Sequence, residues 1–304
     1  MGELDAVPPS GRDFGRGLQA ACCRVLGRGV FIPAVIFLTL NGALTVLMVD
    51  WRPRITGRWL GLPGCQDDDL RYLVAAMALY VSCAVLMYWS YARAVLADPG
   101  VVEPEVERAI QQWQALCPGT PTEEAWGFCG SCRQYRPPRS HHCRVCGVCV
   151  LRFDHHSMWI SNCVGQRNQR YFVQFLAYLA LFLLATGLAP WPGFRDRFAE
   201  QELDLWLGPL SLLRLPSDFS HALSLSVFPA ALGLLLTRLW IMSWGLTAQE
   251  CAPWLARCCP GHPRDRGLCT NWTDVMGKSP IRWLLPLSPA RPARGPGGGP
   301  TDTI

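Results

Sequence analysis

The chain has 304 residues, of which 50% are hydrophobic and only 17% charged, with a formal net charge of +5. A soluble protein of that length would form one or two domains, but repeated uncharged runs long enough to cross ~30 Å of hydrocarbon exclude that class. They predict an all-α integral membrane protein, and the modest positive charge calls for no nucleic-acid partner.

Residues 1–29 form an N-terminal segment in which Phe14, Leu18, Cys22, Val25 and Leu26 recur at helical spacing among Arg16, Arg24 and Arg28. Such a stripe suits the membrane surface. Four spans follow: Val30 to Val49, Leu73 to Leu96 with Arg93 as its one charge, Tyr171 to Leu188, and Leu223 to Leu246 with only Arg238. The connections Asp50 to Arg71 and Pro190 to Ser220 read as outer loops. Lysine and arginine number 19 in residues 1–29, 97–170 and 247–304 together, against 7 in the two outer loops. The richer set belongs on the cytosolic side, so both termini and residues 97–170 are expected there. Arg93 and Arg238 lie near cytosolic helix ends, where snorkelling accounts for them. Residues 288–304 are rich in proline, glycine and arginine and read as a disordered tail after a C-terminal segment, 247–287.

Between the second and third spans, Cys129 to Cys163 holds six cysteines and four histidines in 35 residues, spaced C-x2-C-x9-H-C-x2-C-x2-C-x5-H-H-x6-C. Two tetrahedral zinc ions need eight Cys or His ligands with short loops between pairs. Cys129, Cys132, Cys143, Cys146, Cys149 and Cys163 supply six, and two of His141, His142, His155 and His156 complete two Cys3His sites. A disulfide knot is the competing reading, and a cytosolic location keeps thiols reduced. Closed shells of four ligands leave no position for a catalytic water, so the metals are expected to be structural. In Asp154-His155-His156-Ser157 the surplus histidine beside an aspartate and a hydroxyl is a candidate general base oriented by a carboxylate; equally, Asp154 could orient a ligand histidine.

The run HHCRVCGVCVLRFDHHSMWISNCVGQRNQRYF resembles the cysteine-rich domain of the DHHC protein S-acyltransferases, or palmitoyltransferases. Asp98-Pro99-Gly100 after the second span, Thr247-Ala248-Gln249-Glu250 after the fourth, and Asp265-Arg266-Gly267 leading to Asn271-Trp272 are similar to further motifs of that family. The resemblance implies four transmembrane helices over a cytosolic double-zinc domain. It assigns Cys129, Cys132, His142 and Cys149 to one zinc and Cys143, Cys146, His156 and Cys163 to the other. It makes Asp154 and His155 the activating pair. It implies transfer of a long acyl chain, palmitoyl above all, from acyl-CoA to juxtamembrane cysteines of membrane-associated proteins, in the Golgi or endoplasmic reticulum.

Where that family has its nucleophilic cysteine this chain has Ser157, followed by Met158 in place of proline. A thiol is partly ionised near neutral pH, whereas a hydroxyl needs concerted proton removal. A serine ester is also more stable than a thioester, so passing the chain on to a thiol runs uphill. An impaired transferase scaffold and a non-catalytic membrane adaptor are therefore both expected from this sequence. Ala248 likewise lacks a hydroxyl usual in its motif. For the donor, Phe172, Phe175, Leu179 and Phe182 share one face of the third span and could line an acyl groove with Trp159 near the thioester, or simply pack against neighbouring helices; the resemblance implies a bulky residue deep in this helix that limits chain length, a place Phe182 fits. Arg136 and Arg139, with Arg144 and Arg152 nearby, could meet the CoA phosphates, or simply form a solvated face.

Overall fold

A computed structural model describes residues 67–102, 127–188, 215–256 and 265–287. The first predicted span, the N-terminal segment, most of both outer loops and the tail lie outside the described residues.

Three long helices carry the apolar runs: α1 (Asp67–Leu96), α2 (Gln169–Leu188) and α3 (Leu215–Ser243). Each contains a stretch long and apolar enough to cross a membrane, Met77–Leu96, Gln169–Gly187 and Ser220–Ser243. Among the described residues there are three such helices. The α2 stretch is 72% buried, against 33% for α1 and 17% for α3, which makes α2 the central helix, touching both neighbours. Its aromatic side chains supply the packing. Tyr80 and Tyr91 of α1 meet Phe182 and Phe175 at ring-centroid distances of 5.2 and 4.8 Å.

Helix bounds depart from the apolar runs. The helix that carries the second span runs from Asp67, ahead of Leu73, and the helix that carries the fourth from Leu215, ahead of Leu223, because backbone hydrogen bonding continues past the point where side chains must be apolar. At its other end the fourth helix stops at Ser243, short of Leu246. Gly245, with φ 66°, turns the chain in the left-handed region, and Leu246 N–H donates back to the Ile241 carbonyl, a glycine-closed helix end.

The expectation of an all-α chain is corrected between α1 and α2. There, three antiparallel hairpins pair β1 (Gly127–Cys129) with β2 (Gln134–Arg136), β3 (His141–Cys143) with β4 (Val148–Val150), and β5 (His155–Ser157) with β6 (Asn162–Val164). Strands of three residues carry no period-2 pattern that a sequence reading can detect. The hairpins start at Gly127, His141 and His155, a repeat of 14 residues. Their turns place Arg133, Gly147 and Ser161 at positive φ, again 14 apart. Among the described residues after α3 are three short helices, α4 (Ala248–Ala256), α5 (Leu268–Met276) and α6 (Ile281–Leu284).

Backbone and amide contacts fasten the hairpins to the helix ends. The Asp98 carboxylate accepts from the Gly100 and Val101 N–H groups at 2.9 and 3.0 Å and pairs with Arg167. Gly100 and Cys149 carbonyls then accept from Leu151 and Val102. The Asn162 amide donates to the Ala94, Val95 and Ala97 carbonyls, satisfying the acceptors left open where α1 ends. Asn168 bridges the Ala94 and Cys163 carbonyls. Gly165 is required here: a Cβ would lie 2.5 Å from both the Pro99 carbonyl and a Val150 methyl.

Candidate active site

Each hairpin tip with a Cys-x2-Cys turn is completed by a histidine and a cysteine facing each other across the next hairpin. Cys129 and Cys132 join His142 and Cys149, which are cross-strand partners; Cys143 and Cys146 join His156 and Cys163, also cross-strand partners. Within each group all four ligand atoms lie within 4.8 Å of one another. His142 Nδ1 is 3.2 Å from Cys132 Sγ, and His156 Nδ1 is 3.4 Å from Cys146 Sγ. The cysteines are free thiols rather than disulfides, so the disulfide knot is set aside. Hydrogen bonds from Cys146 and Cys163 hold the Cys143 thiol far below its usual range, while Cys143 and Cys146 push Cys163 far above it. Three thiols this close cannot all ionise without a cation between them, which is the donor set a bound metal dication satisfies. Of the four histidines, His141 joins neither group; it lies 6.3 Å from the Phe153 ring.

The surplus histidine pairs with the aspartate. His155 Nδ1 is 2.9 Å from Asp154 Oδ2, leaving Nε2 as the free nitrogen. Asp154, only 1% exposed, accepts two more donors: Arg238 Nη1 at Oδ2, 2.6 Å, and the Ala248 N–H at Oδ1, 2.5 Å. Burial alone would raise the Asp154 carboxyl. Hydrogen bonding from His155, the Arg238 charge and the Ala248 N–H outweigh it and hold the group below the usual carboxylate range. The Phe172 ring meets the His155 imidazole edge-on at 5.3 Å. Ser157, two residues on, is buried, and its hydroxyl has no hydrogen-bond partner.

Ser157 occupies the place in the third hairpin that Cys129 and Cys143 occupy in the first two. In those, the thiolate accepts an N–H from the residue three further on, Cys132 or Cys146, at 3.4 Å in both cases. The third turn repeats that fold with a serine at the first position and Ile160 at the second.

Two arginines read as snorkelling have definite partners. Arg238 is the ion-pair partner of Asp154, and Arg93 donates to the Tyr171 hydroxyl at 2.7 Å. A lone charge inside an apolar span is the signal that marks such residues. Arg139 does not present a free fork to solvent: it binds Glu250 through Nε and Nη2 at 2.8 and 2.6 Å and reaches the Gly245 carbonyl. Glu250 also accepts the Thr247 N–H. The Thr247-Ala248-Gln249-Glu250 turn therefore clasps the hairpins twice, through Glu250 to Arg139 and through the Ala248 N–H to Asp154, and the second of these, made by the main chain, needs no hydroxyl at position 248. Arg136 lies across Gly127, its Nε 3.2 Å from where a Cβ would start. Phe172, Phe175 and Phe182 are buried and Leu179 half-buried, in contact with α1 and His155. Trp159 is exposed, and its carbonyl accepts the Tyr91 hydroxyl at 2.8 Å. Asn271 ties the C-terminal segment to the bundle by donating to the Ser243 carbonyl at 2.9 Å.

Residues 122–254 match the family described as DHHC palmitoyltransferase. Over 274 residues the chain is 31% identical to probable protein S-acyltransferase 13 of Arabidopsis thaliana, covering 87% of this chain and 86% of that one. Probable protein S-acyltransferase 12 of the same plant is 33% identical, with 87% and 88% covered. Palmitoyltransferase ZDHHC15A of Danio rerio is 33% identical over 165 residues, 53% of this chain and 48% of its own. With metal-capable Cys/His clusters, an Asp-His pair and these relatives in hand, the chain belongs to the DHHC palmitoyltransferase family of protein S-acyltransferases.

Proposed function

We propose that this chain is a scaffold for acyl transfer from a long-chain acyl-CoA, palmitoyl-CoA first, in which position 157 is the acyl acceptor, His155 the base and Asp154 its orienting partner. The Asp154–His155 contact at 2.9 Å, two residues from Ser157, carries the reading. In the acylation step the residue 157 nucleophile attacks the thioester carbonyl, its proton passes to His155 Nε2, and the CoA thiolate leaves. With serine the product is an oxygen ester. Handing it to a substrate thiol is unfavourable, so turnover is expected to stall with the hydroxyl weakly activated.

Cys129, Cys132, His142 and Cys149, and Cys143, Cys146, His156 and Cys163, would each hold one Zn2+, the metal suited to three thiolates and one imidazole. These ions supply rigidity to short hairpins. For the acyl chain, we assign the end of its path to Phe182 with Tyr80, and its thioester end to the neighbourhood of Trp159 and Phe172. With Arg139 engaged by Glu250, Arg136 is the better candidate of the two for a CoA phosphate. Golgi or endoplasmic reticulum membranes, with the hairpins on the cytosolic side, suit membrane-associated substrate proteins bearing juxtamembrane cysteines.

The test is intact mass of the purified protein after incubation with palmitoyl-CoA, for this chain and for Ser157→Cys, followed by neutral hydroxylamine. A hydroxylamine-labile acyl group on the cysteine form alone means that the site is complete except for one atom. If neither form is acylated, the activating pair is not functional and a role as a membrane adaptor replaces the enzyme reading.

A further inference from the structure

Where the last turn of α1 meets the first turn of α2, two guanidinium groups close on one phenol. Arg93 Nη2 and Arg170 Nη2 donate to the Tyr171 hydroxyl at 2.7 and 3.0 Å, and their guanidinium carbons lie 4.7 and 4.8 Å from the ring centroid. The same hydroxyl donates to the Leu287 carbonyl at 3.3 Å, and Arg170 reaches that carbonyl too. The phenol is then saturated, with two bonds accepted and one donated.

Arg170 is 7% exposed, its Nε has no partner, and it makes no ion pair among the described residues. Its other terminal nitrogen, Nη1, lies toward the C-terminal segment. A Cβ built on Gly277 would be 3.8 Å from Arg170 Nη1 and 3.8 Å from Arg282 Cδ. Gly277 itself has φ 90°, so this point between two arginines is held open by a residue that strain reserves for glycine. Lys278 follows it, exposed, and Arg282 likewise has no ion pair among the described residues. The Arg170 partners, the Tyr171 hydroxyl and the Leu287 carbonyl, are neutral, so they solvate the guanidinium without balancing its charge, which favours an anion beside it.

Position narrows the anion. Arg93 and Arg170 sit near the ends of two helices able to cross a membrane, and the end of a spanning helix meets the lipid head groups. Guanidinium forks match phosphate oxygens in pairs. On α2 the neighbouring Phe172 turns to His155 while Tyr171 turns to the arginines, so this cradle is distinct from the acylation site. We infer that Arg170, Arg282 and Gly277 form a phosphate-binding cradle, with Lys278 at its rim, for the head group of an anionic phospholipid or for a soluble phosphate ester. The inference does not depend on the acyl-transfer reading.

The test is native mass spectrometry of the full-length protein in detergent, offered phosphatidic acid, phosphatidylcholine, CoA and inorganic phosphate as separate probes. Arg170→Gln and Arg282→Gln are compared with the unaltered chain. Arg282→Gln removes a side chain with no hydrogen-bond or ion-pair partner among the described residues, and two metal ions per chain in each sample certify the fold. Phosphatidic acid should be retained over phosphatidylcholine, and each variant should weaken it about tenfold, the effect of one charge-assisted hydrogen bond. If the variants instead lose CoA or inorganic phosphate and leave phosphatidic acid unaffected, the cradle stands with a soluble ligand. Equal retention of every probe by all three proteins overturns it.

Discussion

At Ser157 a hydroxyl is sealed among protein atoms without a partner, in a turn that elsewhere in the chain accommodates sulfur. An unsatisfied buried hydroxyl costs about 1–3 kcal/mol. The larger, weakly hydrogen-bonding thiol needs less from its surroundings, and the Cys129 and Cys143 turns offer sulfur an N–H. Ser157→Cys is therefore expected to raise stability by about 1 kcal/mol, read as a higher unfolding temperature in detergent. An unchanged or lower temperature would mean that the hydroxyl is satisfied by water.

Asp154 gives a pH prediction with a definite sign. Its carboxyl titrates lower in the folded chain than in the unfolded one, although burial acts the other way. Such a group contributes stability that is fully present above its unfolded pKa, about 3.9, and is lost as pH falls through its folded value. The unfolding temperature should drop on acidification through that window, and Asp154→Asn should flatten this part of the slope. At neutral pH the same variant leaves Arg238 facing no carboxylate, which costs about 3 kcal/mol. If the acid slope of Asp154→Asn matched that of the unaltered chain, the carboxylate would not be the linked group.

At the scale of elements, the turn after α3 is fastened to the hairpins by the Arg139–Glu250 pair, with side chains only 20% and 15% exposed. The fork is bidentate, and lysine cannot reproduce it. A double-mutant cycle with Arg139→Ala and Glu250→Ala should give a coupling of about 1–2 kcal/mol, between the values for exposed and buried charge-assisted pairs. Arg139→Lys should lose most of it. Additive single effects would mean that the turn is held by the Ala248 N–H and Asp154 alone. Gly165→Ala addresses the other fastening, because its new methyl would meet the Pro99 carbonyl and Val150. Overpacking of this kind costs up to about 3 kcal/mol, visible as lowered unfolding temperature with the metal content intact.

For the molecule as a whole, the hairpins of residues 127–164 bury few apolar side chains besides cysteine, with Val150, Phe153, Ile160 and Val164 as the main exceptions. Three strand pairs of three residues are too small to be stable on hydrogen bonds alone. Chelation should therefore release two metal ions per chain and unfold this region together, while the α1–α2–α3 contacts persist. Protection of the hairpin amides from hydrogen exchange, measured with and without chelator, checks it.

The sequence by itself determined three of the apolar helices, the six cysteines of the two metal-capable groups, and the adjacency of Asp154, His155 and position 157, while spacing left open which two of the four histidines complete those groups. Each is a matter of composition or of spacing along one strand of chain, and runs of apolar residues or short Cys and His intervals survive any tertiary arrangement. The three-residue strands were illegible because they are shorter than the period that would reveal them. Only the tertiary structure decided that Arg238, 84 residues from Asp154, grips its carboxylate, that Arg139 is spent on Glu250, and that Arg93 and Arg170 converge on Tyr171. A long flexible cation in a sequence can snorkel, meet solvent or find an acid. Which of these it does depends on which helix end folds beside it, and that is settled by packing across α1, α2 and α3 rather than by any residue's neighbours in the chain.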